Sequence, residues 1–584
     1  MLQMPQTLRH ALGSLLLLSF AAGCPSKSST GEQPPATRAP TKASVVTISI
    51  VGTNDLHGHL SRLPMLAGFI HNLRDARKQD GAVVLLDAGD MFQGTLESNL
   101  TEGASVVDIY NAMGYTAATI GNHEFDFGPV GEKATPTAAG DDPRGALKAR
   151  LKQARFPILA ANIVDAKTKQ SLPWAKTHLL HKVAPAGGDK NVGVTLGIIG
   201  VTTTATPYTT IAANFTGLRM WTLQRAIVPL AKKLRAQGAS AIIVVAHAGG
   251  RCHGGHTPKD LTKCDKRQEI FQFAKKLPAG TVDVIVAGHT HARMAHQVNG
   301  VAIIESLSKG VAFGRIDLKI DTKTKRLIGT TIQPTRWLCK RGTGIKKVAC
   351  EAGEYEGKKV VADKTLSAMA DKAMERARKL RDEPLGVTLK DKIKRSRARE
   401  SALGNMVADL MRQVRPKADV ALTNGGGLRA DLPAGPLTYG RLYEAQPFDN
   451  RFAIVKLTAA EFSGLLAKNL RHRAGIFSVS GLRAKASCAE GKIRVDLFRP
   501  NGNAIPPAAK LTLATNDFLA SGGDGAFRSL RKRPGAITVE TGETIRDAIA
   551  AALRKRGGVM SRRDFFSRKK KRLQFPGQRP MRCK

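Results

Sequence analysis

Side chains able to bind metal ions follow five apolar segments of the sequence, each at its carboxyl end. The segments read ISIVG, VVLLDAG, AATI, AIIVVA and VDVIVAG. If they are strands of an open α/β sheet, their carboxyl ends meet at one edge, where the loops form a binding crevice. The polar residues at these ends are Asp55, His57, Asp90, Asn122, His123, Glu124, Asp126, His247, His289 and His291. The sequence therefore predicts one site built from five separate stretches of chain.

The donor atoms of this set favour a binuclear metal site. A single Asp or His after a strand is more often a turn residue, but five such strand ends in one domain point to a common ligand. Imidazole, carboxylate and amide oxygen donors without thiolates suit Mn, Zn, Fe, Co or Ni. Two ions roughly 3.5–4 Å apart, bridged by one carboxylate, stabilise both the attacking and the leaving oxygen of a phosphoryl transfer. The pattern predicts phosphoester hydrolysis.

Apolar, β-branched runs of strand length recur from Val45 onward and alternate with segments of helical periodicity. The runs are VVTISIVG, AVVLLDAG, AATIG, FPILAAN, VTLGIIG, AIIVVAH, VDVIVAGH and VAIIES; MLAGFIHNLRDARKQ and TLQRAIVPLAKKLRAQ are helix-compatible. This alternation predicts an α/β domain to about residue 335, with strands buried on both faces. A polar linker at 340–362, a helix over TLSAMADKAMERARKL and a second mixed region to about residue 555 follow.

The second region contains three short segments that suit a nucleotide. They are NGGGLR, QPFDN and NDFLASGGDGAF. Glycines let the backbone approach a ligand closely, and an arginine offers a planar charged fork for phosphate. Two aromatic rings can stack on a base, worth ~1–3 kcal/mol per base in nucleic-acid complexes. The predicted contacts are Asn424, Arg429, Phe448, Asn450, Phe518 and Asp524, the last as an acceptor for ribose hydroxyls.

In this order, the residues of the first region resemble the binuclear metallophosphoesterase superfamily and, more narrowly, the bacterial and animal 5′-nucleotidase family. The resemblance covers Val45 to about Leu553. It implies an N-terminal calcineurin-like metallophosphoesterase β-sandwich flanked by helices, plus a C-terminal α/β nucleoside-binding domain. It implies two divalent metal ions, Mn, Zn or Co. By that resemblance one ion is held by Asp55, His57, Asp90 and His291, and the other by Asp90, Asn122, His247 and His289.

The same resemblance gives the remaining residues their roles. A hydroxide at the two-metal centre attacks phosphorus, His123 faces the phosphoryl group and is oriented by Asp126, and Glu124 is structural. The segment RSRARESALGN matches the family segment with a phosphate-contacting arginine, which falls on Arg397. The second domain is expected to rotate and carry substrate to the metal ions.

Two positions depart from the family pattern. Many nucleotidases of this family have Gln or Asn where this chain has His291 in GHTH, the form common in the wider superfamily. Family members commonly have Gly in QPFGN, where this chain has Asp449. The first departure puts the metal preference of one site in doubt, and the second places a charge beside the expected nucleoside pocket.

The function expected from these residues is hydrolysis of nucleoside 5′-phosphates, and UDP-sugars are possible substrates. A 2′,3′-cyclic nucleotide 2′-phosphodiesterase with 3′-nucleotidase activity is an alternative, mildly favoured by GHTH. A thiosulfohydrolase has little use for Phe448 and Phe518. An alternative of another class is a noncatalytic envelope protein that binds polyanions, although such a module needs no aligned metal ligands.

The charge of the chain is strongly positive. Its 584 residues include 91 Lys and Arg against 47 Asp and Glu, a formal net charge of +44. Such a balance predicts attraction to anionic lipid, polyanions or phosphorylated substrates. We predict no specific nucleic acid partner. Residues 557–584 form a basic tail, interpreted as a solvated charge run that can contact an anionic surface.

The N-terminus reads as an export signal. Arg9 precedes ALGSLLLLSFAAGC, an apolar stretch too short to span a bilayer and ending in small residues before Cys24. This ending resembles a bacterial lipoprotein cleavage site, so we expect lipidated Cys24 to anchor the protein at the cell envelope; a periplasmic or secreted protein is the alternative. Residues 25–44 are expected to be a disordered tether.

The predicted domain boundaries follow from these patterns. They are a signal at 1–24, a tether at 25–44, a metallophosphoesterase domain at 45–339, a linker at 340–362, a substrate-binding domain at 363–556 and the tail. Beyond Cys24, six cysteines allow fifteen disulfide pairings. Short loops favour Cys252 with Cys264 and Cys339 with Cys350, which leaves Cys488 for Cys583.

Overall fold

The computed structural model describes residues 45–131, 133–187, 193–253, 258–340, 350–472, 474–567 and 571–583. The predicted signal at 1–24 with Cys24 and the tether at 25–44 lie outside these ranges. None of the described helices is long and apolar enough to cross a bilayer.

The first half of the chain folds into two facing sheets. In the first sheet the strand order is Leu327–Ile332, Ala312–Asp321, Val45–Thr53, Gly81–Asp87, Ala117–Thr119 and Ile158–Leu159, with Arg336–Trp337 beside Ala312–Asp321. In the second sheet it is Arg293–Val298, Val301–Ser306, Val284–Ala287, Ala241–His247, Val194–Thr202 and His178–Val183. The central strands of both sheets are parallel. The predicted β-sandwich is confirmed.

The core between the sheets consists of aliphatic side chains from both. Ile48 and Leu86 of the first sheet join Ile198 and Val245 of the second in one buried cluster. Burying each such side chain contributes about 1.5–3 kcal/mol. The sheets approach closely at Gly52, where an added Cβ would lie 2.6 Å from Val286 Cγ1. The sandwich is thus held at a fixed spacing next to the ends of its parallel strands.

Helices cover the outer faces of this sandwich. Leu63–Ala76, Ala104–Met113 and Gly145–Gln153 pack on the first sheet, and Leu223–Ala236 and Glu269–Lys276 pack on the second. This half also has the short helices Leu96–Asn99 and Thr206–Thr209, and Leu96 packs in the core of the second half. Both helices predicted from the sequence are present. The segment FPILAAN is a strand only at Ile158–Leu159, because the next residues leave the first sheet and the Ala161 N–H donates to the Gly200 carbonyl of the second sheet (2.7 Å). Two short pairs complete this half: Ile163–Asp165 with Leu218–Met220, and Glu354–Tyr355 with Lys358–Lys359.

The second half is a separate α/β core. Its five-stranded sheet has the order Phe477–Ser480, Val420–Asn424, Lys510–Asn516, Arg451–Thr458 and Ile537–Thr544. Two three-stranded sheets have the orders Gly435–Thr438, Pro384–Leu389, Gly558–Met560 and Lys492–Phe498, Arg483–Ala489, Leu573–Gln574. The helices are Lys364–Arg381, Ala402–Val414, Tyr439–Ala445, Ala459–Arg471, Asp517–Ala520, Ile545–Arg556 and Arg562–Phe565. Val420 and Leu422 pack on one face of the central sheet and Ala421 on the other, so both faces are buried.

The described part of the predicted linker, residue 340 and residues 350–362, packs against the first domain. Asn72 of the helix Leu63–Ala76 donates to the carbonyls of Tyr355 and Lys358. The Tyr355 ring lies 5.3 Å from that of Phe69, edge to face. The segment is bound because it carries an aromatic side chain that covers an apolar patch, a feature that its polar composition obscures.

The C-terminal segment differs from the predicted solvated tail. Gly558–Met560 pairs with Pro384–Leu389, and Leu573–Gln574 pairs with Arg483–Ala489. Leu573 and Met581 are buried in the core of the second domain. The apolar residues between the basic ones thus make this segment part of the domain. The three disulfides join Cys252 to Cys264, Cys339 to Cys350 and Cys488 to Cys583, the pairing that short loops favour.

Candidate active site

The predicted metal ligands converge at the carboxyl ends of the parallel strands. The loops after two neighbouring strands bond to each other, since the N–H groups of Asp55 and His57 donate to the carbonyls of Gly89 and Asp90 (2.9 and 3.0 Å). Five ligand positions have left-handed backbone conformations, with φ between 50° and 74°: Asp55, His57, Asp90, His289 and His291. Such conformations cost of order 1–3 kcal/mol each in non-glycine residues and concentrate at functional sites.

The first group of donors consists of Asp55, His57 and His291. His291 Nε2 lies 3.2 Å from Asp55 Oδ1 and 3.1 Å from His57 Nε2. His57 donates from Nδ1 to the Gln93 carbonyl (2.8 Å), which leaves the Nε2 lone pair directed at the other two residues. Burial, together with Arg429 and His291, holds the pKa of His57 well below its usual value. The ring is therefore neutral, the form in which histidine binds a metal.

The second group consists of Asp90, Asn122, His247 and His289. His247 Nε2 lies 3.2 Å from Asp90 Oδ2, 3.1 Å from Asn122 Oδ1 and 3.3 Å from His289 Nδ1. His247 donates from Nδ1 to the Ala88 carbonyl, and Asn122 donates from Nδ2 to the Thr209 carbonyl. Both residues therefore present an acceptor atom to the same point.

Asp90 lies between the two groups. Its Oδ2 is 3.2 Å from His247 Nε2 in one group and 4.0 Å from His57 Nε2 in the other. Its Oδ1 accepts a hydrogen bond from the His123 N–H (2.9 Å). One carboxylate is thus oriented by the backbone and shared by both sets of donors, the arrangement expected of a bridging ligand.

The donor set fits two divalent metal ions. Asp55 Oδ1 is buried and has no hydrogen-bond partner within the part of the chain that the structure describes, whereas Asp55 Oδ2 accepts from Asn54 Nδ2 and from the His289 N–H. A buried carboxylate oxygen without a partner carries a large desolvation cost, which a cation removes. A cation between them would likewise accept the imidazole nitrogens that face one another at 3.1 and 3.3 Å.

His123 is placed to act on a substrate at this centre. Its Nδ1 donates to Asp126 Oδ2 (2.5 Å), and Asp126 Oδ1 accepts from the Thr210 hydroxyl (2.9 Å). These bonds fix the plane of the ring and leave Nε2 4.0 Å from Asp90 Oδ2. A ring held in this way can stabilise negative charge or supply a proton at a fixed position.

All seven residues predicted to bind substrate line one cavity together with four of the seven predicted metal ligands. The cavity has a volume of about 520 Å³. Its lining includes Asp90, Asn122, His123, His289 and His291 from the first domain, and Arg397, Asn424, Arg429, Phe448, Asn450, Phe518 and Asp524 from the second. The geometry therefore places both groups of residues at a single site.

Contacts between the domains close this cavity around the metal centre. Arg429 Nη2 lies 3.2 Å from His57 Nε2, and the Phe448 ring lies 5.3 Å from the His123 ring. Asn424 Nδ2 donates to Asp524 Oδ2 (2.9 Å). A cationic fork and an aromatic face are thus adjacent to the metal ligands.

Comparison with known proteins agrees with this geometry. The family profile for calcineurin-like phosphoesterases matches residues 48–293, and the profile for the 5′-nucleotidase C-terminal domain matches residues 384–532. The chain belongs to the 5′-nucleotidase family. Residues 48–293 therefore form its calcineurin-like phosphoesterase domain, whose clustered donors fit divalent metal ions.

The relatives differ in length and name. Endonuclease YhcR of Bacillus subtilis is 27% identical over 81% of this chain and 35% of its own length. Protein UshA of Yersinia enterocolitica is 27% identical over 82% of this chain and 86% of its own. The crystal structure of a 5′-nucleotidase precursor from Thermus thermophilus superposes with a TM-score of 0.69 at 24% identity, over 90% of this chain and 99% of that one. This chain spans about a third of the length of the endonuclease.

Two buried carboxylates of this 5′-nucleotidase family member support the ligands. Glu124 accepts from the N–H groups of Gly121, Asp90 and Met91, and burial and Asp90 raise its pKa to about 7. Its structural interpretation agrees with these contacts. Glu305 was missed in the sequence: it accepts from the Thr290 hydroxyl and the Ala292 N–H beside the GHTH histidines, and burial raises its pKa to about 8. The signal was a carboxylate inside the apolar run VAIIES.

Asp449 does not act as a free charge. Its Oδ1 accepts from Arg546 Nη2 (2.5 Å), and Arg546 is buried. Arg546 also donates from Nη1 to the carbonyls of Gln446 and Phe448 (3.2 and 3.4 Å). The aspartate that replaces the family glycine is thus paired with an arginine that supports the Phe448 segment.

Proposed function

We propose that this protein is an exported 5′-nucleotidase that hydrolyses nucleoside 5′-phosphates, and also UDP-sugars, to release nucleoside and phosphate. The observation that carries this proposal is the shared cavity: metal ligands, an arginine and two phenylalanines line the same space. A phosphatase for small esters needs no aromatic pair next to its metal centre. A flat base between two rings accounts for both Phe448 and Phe518.

The residues divide the substrate between them. Phe448 and Phe518 take the two faces of the base, and Asp524, held by Asn424, accepts hydrogen bonds from the ribose hydroxyls. Arg429 lies within reach of a phosphate oxygen at the metal centre. Binding of the base and ribose in the second domain then positions the phosphoester bond at the metal centre. The binding energy of the nucleoside thus orients the reacting atoms.

Two divalent ions, Mn, Zn or Co, would supply an activated water and neutralise charge on the phosphoryl oxygens. Asp55, His57, Asp90 and His291 would hold one, and Asp90, Asn122, His247 and His289 the other. His123 then stabilises the charge that develops at phosphorus or donates a proton from Nε2 to the leaving oxygen. Asp126 accepts the Nδ1–H of His123 and favours the protonated ring, so that Nε2 carries the proton that this role requires.

We further propose that the protein acts outside the cytoplasm, anchored through lipidated Cys24, because the N-terminal sequence reads as an export signal of the lipoprotein type. The metallophosphoesterase domain is assigned to 45–339. The substrate-binding domain is assigned to 363–583, because residues 557–583 contribute strands and core side chains to it.

The experiment that tests the proposed activity compares three substrates on the purified full chain supplied with Mn, Co or Zn. AMP, UDP-glucose and 2′,3′-cyclic AMP are assayed side by side, with and without chelator, beside the variants Asp90→Asn and Asn122→Ala. Fast release of phosphate from AMP supports the nucleotidase function if both the chelator and the two substitutions abolish it. Preference for the cyclic substrate would replace it with the phosphodiesterase, and release from none of the three would overturn the proposed substrate class.

A further inference from the structure

Residues 571–583 form a C-terminal strap that is fixed at both ends on the second domain. At one end Arg572 makes a bidentate pair with Asp409 (2.6 and 2.8 Å), and Leu573 is buried. At the other end Met581 is buried, its N–H donates to the Leu470 carbonyl (2.9 Å), and Cys583 is bonded to Cys488. Arg579 lies between these anchor points.

Arg579 lines the cavity and binds a cluster of backbone carbonyls. Its Nη2 donates to the carbonyls of Asn469, His472 and Ala474 at 2.7, 3.1 and 2.9 Å. Its Nη1 lies 3.5 Å from the carbonyl of Arg397. The acceptors Asn469, His472 and Ala474 lie in the last turn of the helix Ala459–Arg471 and just beyond it, where the carbonyl end of a helix attracts a cation. A guanidinium fork suits several acceptors at once, whereas a lysine ammonium is a point charge.

The carbonyl cluster leads directly to the substrate contacts. Residues 474–476 pack on the glycine turn after Asn424: an added Cβ at Gly475 would lie only 2.2 Å from the Gly426 nitrogen. The Gly425 N–H donates to the Ile476 carbonyl (2.7 Å), and the Ile476 N–H donates to the Arg397 carbonyl (3.0 Å). Any movement of residues 474–476 is therefore transmitted to both the glycine turn and Arg397.

Arg579 also faces the carboxylate at the far end of the cavity. Asp524 lies near two cations, Arg397 and Arg579; burial raises the pKa of Asp524, and both arginines oppose that rise. Because Asn424 donates to the same carboxylate, the cavity end is a network of one anion, two cations and one amide. Removing a cation from such a network weakens the ionised carboxylate as a hydrogen-bond acceptor.

We propose that Arg579 is a positioning residue for nucleotide binding, and that the C-terminal strap is part of the substrate site. The arginine fixes residues 474–476 and thereby the glycine turn and the Arg397 backbone. Its charge supports Asp524 at the ribose end. This inference rests on the proposed nucleotidase function. It assigns to the substrate site a segment that begins 39 residues after the end of the family match at residue 532.

The test compares the variants Arg579→Ala and Arg579→Lys with the matched control Arg582→Ala, an exposed arginine three residues along the same strap. Two readouts are measured on the full chain. The first is kcat and KM for AMP and for p-nitrophenyl phosphate, which has no nucleoside. The second is adenosine binding to chelator-treated protein by calorimetry, which does not depend on the metal centre.

We expect Arg579→Ala to lower the ratio of kcat/KM for AMP to that for p-nitrophenyl phosphate about tenfold, chiefly through the KM for AMP. Adenosine binding weakens by about the same factor, equivalent to roughly 1.4 kcal/mol. Arg579→Lys, which keeps the charge without the fork, recovers part of the loss, and Arg582→Ala matches the wild type.

Two results would overturn the inference. One is an unchanged ratio and unchanged adenosine binding in Arg579→Ala. The other is an equal loss on both phosphate substrates with wild-type adenosine binding. If Arg579→Ala fails to fold, the Arg579→Lys variant decides. An unchanged kcat/KM ratio and an unchanged adenosine affinity in that variant would contradict the role of the guanidinium group. A wild-type protein that shows no preference for AMP over p-nitrophenyl phosphate overturns the proposed function first.

Discussion

Gly121, the first residue of GNHEFD, lies where an added side chain would collide with the shared metal ligand Asp90. Its N–H donates to Glu124 Oε2 at 2.6 Å. A Cβ added at this position would lie 2.3 Å from Asp90 Oδ1, 2.4 Å from the Asp90 nitrogen and 2.7 Å from Glu124 Oε2. Gly121→Ala therefore forces the shared carboxylate, Asp90, to move.

The size of that movement follows from the distances. Ordinary contacts of a Cβ begin near 3.4 Å, so the change from 2.3 Å requires a shift of about 1 Å. A misplacement of about 1 Å at a catalytic group can lower the rate about 100-fold. Overpacking in a tight interior also costs about 1–3 kcal/mol of stability, which leaves a domain of this size folded.

The assay is Mn²⁺-dependent hydrolysis of p-nitrophenyl phosphate, followed as a function of metal concentration, with thermal unfolding measured in parallel. Gly140→Ala is the matched control, because no atom of the described residues lies within 4 Å of the added Cβ. We expect Gly121→Ala to lose about 100-fold in kcat/KM and to require more metal for half-maximal activity. Activity within about threefold of the wild type, from a folded variant, would refute the conclusion that Asp90 is rigidly placed by this turn.

Three further predictions concern the second domain and the disulfides. Burial raises the pKa of Asp517 from 3.8 to about 6, so the folded state loses stability relative to the unfolded state as the pH rises from 3.8 to about 6. Between pH 4 and pH 7, urea unfolding should show the stability of Asp517→Asn rising by on the order of 2–3 kcal/mol relative to the wild type. A difference that does not change with pH would contradict this. Replacing the Cys488–Cys583 disulfide with two alanines should lower the free energy of unfolding by about 4–5 kcal/mol, and replacing Cys252–Cys264 should lower it by about 3 kcal/mol. The difference follows from the loops that the disulfides close, because the sequence separations are 95 and 12 residues. A larger loss for Cys252–Cys264 would contradict the loop-closure argument. Arg546→Ala should raise the KM for AMP about tenfold, because it removes the hydrogen bonds to the carbonyls of Gln446 and Phe448 that position the Phe448 ring. An unchanged KM would show that these hydrogen bonds are not needed to position that ring.

The metal centre was predictable because local sequence encodes it. Each ligand follows an apolar run, and parallel strands bring their carboxyl ends together whatever the loops between them contain. Asp55 and His57 were recognisable from their spacing, and GNHEFD from the density of its polar side chains. The residues of the second domain that line the same cavity were predictable for a related reason, since glycines precede Arg429 and flank Asp524.

The parts that were not predictable depend on contacts distant in sequence. The composition of the tail at 557–584 predicts a solvated run because its charged residues outnumber its apolar ones, yet Leu573 and Met581 are buried in the core of the second domain. The role of Asp449 depends on Arg546, almost 100 residues later. The polar composition of residues 340–362 predicts a linker, yet the ring of Tyr355 packs against that of Phe69 in the first domain. A few apolar or oppositely charged residues decide packing in each case, and composition averages conceal them.

The central conclusion is that the residues at five strand ends form one centre for two metal ions. The most direct test is the number of ions bound per chain: the wild type and Asp90→Ala are equilibrated with Mn²⁺, dialysed, and analysed by elemental mass spectrometry together with protein concentration. Two ions in the wild type and fewer than one in Asp90→Ala are expected, because Asp90 contributes to both groups of ligands. A single ion in the wild type, or two ions retained in Asp90→Ala, would contradict the shared centre.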